Sequence, residues 1–308
     1  MSNPQRHRYS RETGSTQPSR RIVAFQGSSG LRISGEIWGE QADPAVLFIH
    51  GIGQTRHAWT NVATRVAGEG WRCVLIDLRG HGESDWDPGH DYTLRALADD
   101  CAAVVQQLGS SPVFVGASLG GMAALYAQGM SRHPLTAGLV LVDVSLGTNH
   151  AATERIRRFM RSGVEGFDTL EQAANAIAQY KGSPRSRSAA SPGLRRVLRE
   201  RDGRWYWHWD PALISHFTTN SESGRMGELR RAQLQLVYVP TLVLRGGDSQ
   251  VTTDDGIERL LRIAPDASVV EIPNASHMIA DDQNDAFGDA VVAFLEGRVR
   301  STLTTRSH

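Results

Sequence analysis

Short runs of consecutive apolar residues recur along the chain, separated by longer amphipathic stretches. Runs of this kind predict strands that are buried on both faces, as in a parallel sheet covered by helices. Two earlier segments, 21–26 and 31–38, alternate apolar and polar residues around the turn at 27–30, which predicts an antiparallel hairpin. The sequence therefore predicts a mostly parallel, eight-stranded sheet, whose other six strands are the apolar runs 45–50, 73–76, 112–115, 139–142, 241–244 and 269–272.

Between these runs the apolar residues recur with helical spacing. The clearest case begins after Thr93, a residue type favoured at helix N-caps, and ends at Gly109, a typical C-terminal stop. Further helical stripes occur at 122–130, 257–263 and 286–295. Strands that alternate with helices predict an α/β fold with right-handed crossovers and with helices on both faces of the sheet.

The alternation is interrupted between residues 145 and 237. This block contains no buried-strand run, and segments such as 194–200 and 226–236 are typical of helices. It predicts a helical cap inserted into an α/β core made of residues 21–144 and 238–298. The polar residues 1–20 predict a disordered arm, and residues 299–308 predict a flexible tail.

Composition narrows the possible partners. Lysine plus arginine equals aspartate plus glutamate, at 33 each, so neither nucleic acid nor an anionic membrane is indicated as a partner. Cys73 and Cys101 lie in apolar patterns and are interpreted as buried thiols. The first twenty residues lack the apolar segment of a secretion signal and no stretch is long enough to span a bilayer, which predicts a cytoplasmic protein.

One candidate nucleophile has the required local context. Ser118 is the centre of the motif Gly-Ala-Ser-Leu-Gly at 116–120, which lies directly between a predicted strand and a predicted helix. The motif alone is common, but on a strand-to-helix turn it projects the serine above the sheet. The amides at the start of the helix then favour the negative charge that develops when an ester carbonyl is attacked.

A second glycine-rich turn provides candidate donors for that charge. His50-Gly-Ile-Gly53 follows the first parallel strand. The backbone N–H groups of Ile52 and Leu119 are predicted to form an oxyanion hole. Because this role uses the backbone, His50 itself is interpreted as a packing residue.

A serine hydroxyl needs a base and an oriented imidazole to act as a nucleophile. His277 follows the last predicted strand and is predicted to be the general base. Asp248 follows the strand before it and is predicted to be the orienting acid, in the chain order serine, aspartate, histidine. Asp143, at the end of the strand 139–142, is the rival for the acid.

Together these motifs resemble the α/β-hydrolase superfamily over residues 21–298, in its capped branch of esterases, lactonases, carbon–carbon bond hydrolases and haloperoxidase-like enzymes. The matching elements, in order, are the segments 50–53, 77–84, 116–120, 247–248 and 276–277. Epoxide hydrolases and haloalkane dehalogenases of that branch use aspartate as nucleophile, so Ser118 argues against both chemistries. The segment 77–84 is a turn that braces the sheet edge in such proteins.

Aromatic residues of the cap are candidates for the substrate pocket. Trp205, Trp207 and Trp209 either fix the cap to the core or form an apolar wall for the substrate, and Trp59 is a further candidate. His208 is interpreted as a hydrogen-bonded packing residue, and His57 as a surface residue at the start of a helix.

These observations predict a serine hydrolase without cofactor or metal that cleaves a small ester or lactone with an apolar portion through an acyl-enzyme. No nucleotide-binding glycine loop or metal-ligand spacing is present in the sequence. Two alternatives stay open at this point. One is a carbon–carbon bond hydrolase acting on a diketone with the same triad, and the other is a slow-turnover ligand receptor on the same fold.

Overall fold

The computed structural model describes residues 19–131, 133–144, 150–182, 192–215, 232, 238–249, 251–275 and 284–302. Eight strands form one sheet, as the sequence predicts. The strands are β1 Arg20–Gln26, β2 Arg32–Trp38, β3 Ala45–Ile49, β4 Arg72–Ile76, β5 Val113–Ala117, β6 Gly138–Val142, β9 Thr241–Gly246 and β10 Ser268–Ile272, with β7 and β8 in a separate hairpin described below.

The order across the sheet is β1-β2-β4-β3-β5-β6-β9-β10. β1, β2 and β4 pair in antiparallel fashion, and every other pair is parallel. All residues of β3, β4 and β6 are buried, which explains why these strands are apolar apart from Arg72 at the start of β4. Because the parallel strands share one direction, the loops that follow β3, β5, β6 and β9 meet at a single edge of the sheet.

Helices cover both faces of the sheet. α2 begins after Thr93, whose side chain accepts the Ala96 N–H, and ends at Gly109 in the left-handed region (φ 69°), so both sequence signals are confirmed. α2 and α3 pack on one face and α1 and α8 on the other, each within its own apolar cluster. The helices outside the 145–237 block are α1 Thr60–Gly68, α2 Leu94–Leu108, α3 Leu119–Met130, α7 Asp254–Ile263 and α8 Asn284–Phe294.

The block between β6 and β9 has an apolar cluster of its own, built mainly from its helices and hairpin. Its described elements are α4 His150–Arg161, α5 Leu170–Lys181, α6 Pro192–Arg195, β7 Leu198–Arg201 and β8 Arg204–Trp207. The helix predicted at 194–200 is therefore wrong in its second half, where β7 pairs with β8. The predicted helix at 226–236 lies outside the described residues except for residue 232. The division into core and cap stays a proposal.

The hairpin turn explains that error. Asp202 and Gly203 connect β7 to β8, and both have positive φ, at 52° and 74°. Asp-Gly between two strand-like runs is among the strongest short hairpin signals, because two-residue turns of this type need left-handed residues at both positions.

The C-terminal boundary also differs from the prediction. A helical turn, Leu295–Arg300, continues directly from α8. Val299 in this turn is fully buried against the core, so the predicted tail at 299–308 begins too early. No helix in the described part of the chain is both long and apolar enough to cross a bilayer.

Candidate active site

Ser118 occupies the sharp turn between β5 and α3, as predicted. Its backbone has φ 47° and ψ −113°, a combination that a residue with a side chain rarely adopts. Its N–H donates to the Val142 carbonyl at 3.0 Å, and its carbonyl accepts the Met122 N–H at 3.0 Å. The strain is thus held by hydrogen bonds to β6 and to α3, and the serine side chain projects at the N-terminus of α3.

The two glycines of the motif are required by close packing. A Cβ on Gly116 would lie 2.6 Å from the Gly121 Cα, and a Cβ on Gly120 would lie 2.3 Å from the Ile49 carbonyl oxygen. Any larger residue would push α3 away from β3 or β5 and would displace Ser118.

The turn after β3 lies directly beside the serine. A Cβ on Gly51 would be 3.4 Å from the Ser118 Cβ. The Gly51 N–H donates to Gln54 Oε1 at 2.9 Å, and the Gln54 N–H donates back to the Gly51 carbonyl at 3.2 Å, which closes the turn. The N–H groups of Ile52 and Leu119 have no hydrogen-bond acceptor within the part of the chain that the structure describes. Both amides are therefore available to a ligand, as an oxyanion hole requires.

A cavity of about 170 Å³ opens above Ser118 between the core and the 145–237 block. Ile52 and Ser118 line it from the core, and helices α4 and α5 contribute most of the opposite wall. Trp207 and Trp209 line it as well, and their contact with a substrate stays a prediction. Their rings stack on each other with centroids 4.8 Å apart and an interplanar angle of 13°. The wall from the 145–237 block is mainly apolar and comprises Ile156, Phe159, Met160, Ile177, Tyr180, Lys181, Gly193, Arg196, Val197, Trp207 and Trp209.

Two other tryptophans predicted for the pocket lie elsewhere. Trp59 is buried in the core between Phe48 and Phe287, with ring centroids at 5.5 and 6.0 Å, because the turn after β3 directs it to the face covered by α1 and α8. Trp205, on the same face of β8 as Trp207, does not line the cavity, and the Arg195 guanidinium lies 5.1 Å from its ring. Conversely, His57, which the sequence placed on the surface, is one of the residues that line the cavity.

The two candidate acids occupy different environments. Asp248 follows β9, and its side chain is exposed; its N–H donates to the Ala275 carbonyl at 3.0 Å. Asp143 follows β6, next to the nucleophile strand, and is fully buried. Its backbone has a φ of 46°, and one of its carboxylate oxygens accepts a hydrogen bond from the Ser249 hydroxyl. Of the two candidate acids, Asp143 is therefore the buried one and Asp248 the exposed one.

The cavity and the buried acid are electrostatically linked. Burial raises the pKa of Tyr180, a cavity residue, and the negative charge of Asp143 raises it further, while Arg155 opposes this shift. The Asp143 carboxylate therefore lies within electrostatic range of the cavity that holds Ser118.

His277, the predicted base, lies outside the described residues, so the predicted triad stays a prediction. Among the described residues, no group of three His, Cys, Asp or Glu side chains could hold a metal ion.

Three buried histidines connect the hairpin to the turn after β3. His208, just after β8, accepts the Gly82 N–H through Nδ1 at 2.7 Å, so it is a hydrogen-bonded packing residue as predicted. His81 accepts the Gly53 N–H through Nε2 at 3.2 Å. The rings of His50, His81 and His208 form a row, with centroids 5.1 and 5.9 Å apart. The packing of Gly53 is completed by the Trp209 ring, 3.4 Å from where a Cβ on that glycine would lie.

This histidine row predicts a loss of stability in mild acid. Burial lowers the pKa of His50 to about 4 and that of His81 to about 3, and it lowers the pKa of His208 well below the usual 6.5. Below pH 6.5 the unfolded chain therefore binds more protons than the folded one, so stability falls with pH until the folded pKa values are reached. Between about pH 6.5 and about pH 5 we expect a loss of roughly 2 kcal/mol for each of these imidazoles.

Denaturant unfolding at about pH 7 and about pH 5 measures this loss. His133→Gln, which removes an exposed imidazole, serves as the control and should leave the pH dependence as it is in the native protein. An unfolding free energy that stays constant over this pH interval would contradict the burial of three neutral imidazoles.

Comparisons with known proteins agree with this geometry. The sequence model of the alpha/beta hydrolase family matches residues 46–290. The chain is 29% identical to esterase Rv0045c of Mycobacterium tuberculosis over 276 residues, which cover 86% of this chain and 87% of the esterase. It is 28% identical to the sn-1-specific diacylglycerol lipase ABHD11 of Mus musculus, over 83% of this chain and 82% of the lipase.

Solved structures give the same fold. The crystal structure of esterase Rv0045c superposes with a TM-score of 0.69 at 26% sequence identity, covering 91% of this chain and 92% of that one. The crystal structure of E-2-(acetamidomethylene)succinate hydrolase superposes with a TM-score of 0.76 at 22% identity, covering 91% of this chain and all of the other, which shows a shared fold. The family match spans most of the sequence, and its relatives are named as esterases, lipases and hydrolases. The chain therefore belongs to the alpha/beta hydrolase family and is an enzyme of that class.

Proposed function

We propose that this enzyme is a serine hydrolase that cleaves a small carboxylic ester or lactone through an acyl-enzyme. The observation that carries the proposal is the strained backbone of Ser118 at the base of a mainly apolar cavity. Such strain is retained where a function requires it, and here it aims a hydroxyl at the space a substrate would fill.

In the first half of the reaction, the Ser118 Oγ attacks the carbonyl carbon while His277 removes the hydroxyl proton. The carbonyl oxygen becomes an oxyanion and is bound by the N–H groups of Ile52 and Leu119. Each such donor contributes on the order of 3 kcal/mol to stabilising the transition state. When the tetrahedral intermediate collapses, the ester bond breaks and His277 gives its proton to the departing alcohol oxygen.

In the second half, His277 removes a proton from a water molecule, and the hydroxyl attacks the carbonyl carbon of the acyl-enzyme. The same two N–H groups bind the second oxyanion. The bond between Ser118 Oγ and the acyl carbon then breaks, the serine recovers its proton from His277, and a carboxylic acid leaves. No electron acceptor or further co-reactant is needed for this sequence.

For the orienting acid, the physical argument favours Asp143 over Asp248. An aspartate that holds an imidazole in one tautomer and stabilises the imidazolium acts best when water does not screen it. Asp143 is fully buried at the end of the strand next to the one that carries Ser118. The Asp248 side chain is exposed, so its charge would be screened. We therefore propose Asp143 as the acid and retain Asp248, the prediction from sequence, as its competitor.

The size and polarity of the cavity support a small substrate with an apolar portion. Cavities that hold drug-sized ligands usually have volumes of several hundred Å³, whereas this one has about 170 Å³. The stacked rings of Trp207 and Trp209 offer a flat apolar wall. One relative, with 26% identity, is named 3-hydroxybutyrate-oligomer hydrolase, from Cupriavidus necator, and this name supports a short acyl unit in the present enzyme too.

A substrate panel tests the proposal. We expect the purified enzyme to hydrolyse 4-nitrophenyl acetate and butanoate faster than the dodecanoate, because a long chain exceeds the cavity. Short lactones and a diketone complete the panel. Turnover of the diketone alone, with no hydrolysis of any ester or lactone, would overturn the proposal.

A further inference from the structure

The side chains that line the Ser118 cavity include two cations. Lys181, at the end of α5, and Arg196, between α6 and β7, both line it. The described lining contains no aspartate or glutamate. Since the whole chain has equal numbers of cationic and anionic residues, this imbalance belongs to the cavity and does not reflect a basic protein.

Arg196 is an exposed residue at the edge of the cavity, and it makes no hydrogen bond or ion pair with any other residue in the described part of the chain. Its neighbours in sequence and along β7 are engaged: Arg195 lies over the Trp205 ring, and Arg199 donates to the Gly82 carbonyl. A guanidinium presents a planar fork of N–H donors that matches a carboxylate in a bidentate arrangement. Arg196 therefore offers an unused carboxylate-binding group to whatever enters the cavity.

The charge of Arg196 reaches the opposite wall. Burial and the charge of Arg56 lower the pKa of His57, and the charges of Glu36 and Asp77 oppose this shift. Arg196 makes a smaller contribution, which also lowers this pKa. His57 lies on the core side of the cavity and Arg196 on the side of the 145–237 block, so the field of the guanidinium extends across the space between them. A carboxylate held in that space would meet both this field and the charge of Lys181.

We propose that the enzyme selects substrates that carry a carboxylate in addition to the ester bond that is cleaved, and that Arg196 binds this carboxylate. The proposal rests on the proposed ester hydrolysis and names its substrate class: half-esters of short dicarboxylic acids, or esters of short hydroxy acids. The apolar wall around Phe159 and Trp207 takes the hydrocarbon between the two groups. Lys181 adds positive potential at the same site.

Matched ester pairs test the proposal. Mono(4-nitrophenyl) glutarate carries a free carboxylate in its acyl portion, and methyl 4-nitrophenyl glutarate replaces that carboxylate with a neutral ester. A second pair, 3-butanoyloxypropanoate and its methyl ester, places the carboxylate in the alcohol portion. In at least one pair we expect kcat/KM to be about tenfold higher for the anionic member, the size of one charge-assisted hydrogen bond.

Substitutions then test whether Arg196 causes the preference for the anionic ester. Arg196→Gln should reduce the ratio of kcat/KM between the anionic and the neutral member of a pair to near one. Arg196→Lys should keep part of the preference, since a point charge remains without the planar fork. Arg195→Gln is the matched control, because that adjacent arginine is not among the residues that line the cavity, and it should leave the ratio unchanged.

A binding titration makes the test independent of turnover. The Ser118→Ala enzyme is titrated with each pair by calorimetry, with and without Arg196→Gln. We expect tighter binding of an anionic member by about tenfold, lost when Arg196 is replaced. Equal binding and equal turnover within both pairs, or a preference that survives Arg196→Gln, would overturn the carboxylate site. If no ester is hydrolysed, the proposed function fails, and the titration still decides the binding site.

Discussion

Replacing Asp143 by asparagine is expected to lower kcat by about 10⁴-fold, because an amide cannot stabilise the imidazolium and favours the wrong imidazole tautomer. The fold should tolerate this substitution. Asparagine tolerates the left-handed backbone that Asp143 adopts (φ 46°), and its carbonyl oxygen can still accept the Ser249 hydroxyl. Steady-state kinetics on the best ester of the panel measures the effect.

Asp248→Asn is the matched control for this prediction. Its side chain is exposed, so the substitution should change kcat by less than about tenfold and leave the fold intact. Thermal unfolding of both variants separates a loss of catalysis from a loss of structure. If Asp248→Asn proves to be the severe variant and Asp143→Asn the mild one, the acid is Asp248, as the sequence predicts.

Ser118→Ala should lower kcat by about 10⁶-fold, since the acyl-enzyme cannot form without the nucleophile. The remaining activity would come from the oxyanion hole and from binding alone. Ser249→Ala is a suitable comparison because it also removes a serine hydroxyl near the site, one that contacts Asp143 and has no role in the attack. Its expected effect is at least a hundredfold smaller than that of Ser118→Ala. Comparable losses in the two variants would argue against Ser118 as the nucleophile.

The buried sheet could be predicted from the sequence because the composition of each strand reflects its own burial. Strands covered on both faces must be apolar at nearly every position, and β3, β6 and the part of β4 after Arg72 have this composition. The turn at Ser118 could also be predicted, because the residues that form it are adjacent in the sequence. Its glycines are required by contacts with Gly121 and Ile49, and the flanking strand and helix were each recognisable from their own pattern.

The β7–β8 hairpin differs from the prediction, although the sequence contains a typical hairpin turn. Asp202-Gly203 is typical of a two-residue hairpin turn. The helix predicted at 194–200 instead continues the short helix α6 into residues that form β7. By contrast, nothing local separates Trp207 from Trp205. They are two residues apart on β8 and therefore lie on the same face of that strand, so only the packing around the hairpin decides which of the two rings reaches the cavity.

The choice between the two acids also depends on tertiary structure. Asp143 and Asp248 each follow a parallel strand, and so their sequence contexts are equivalent. The strand order places β6 beside the nucleophile strand and β9 one position further away. Burial of the Asp143 carboxylate then follows from packing around the end of β6, which the sequence does not specify. The same holds for Arg196, whose position at the cavity results from the fold of the 145–237 block.

The central claim is that the Ser118 hydroxyl is the nucleophile, and covalent labelling tests it most directly. A fluorophosphonate should modify the purified native enzyme, and mass spectrometry of the digested protein should place one phosphonyl group on the peptide that contains Ser118. The Ser118→Ala enzyme should remain unlabelled under the same conditions. An adduct on any other residue of the native enzyme, or labelling that persists in Ser118→Ala, would contradict the account.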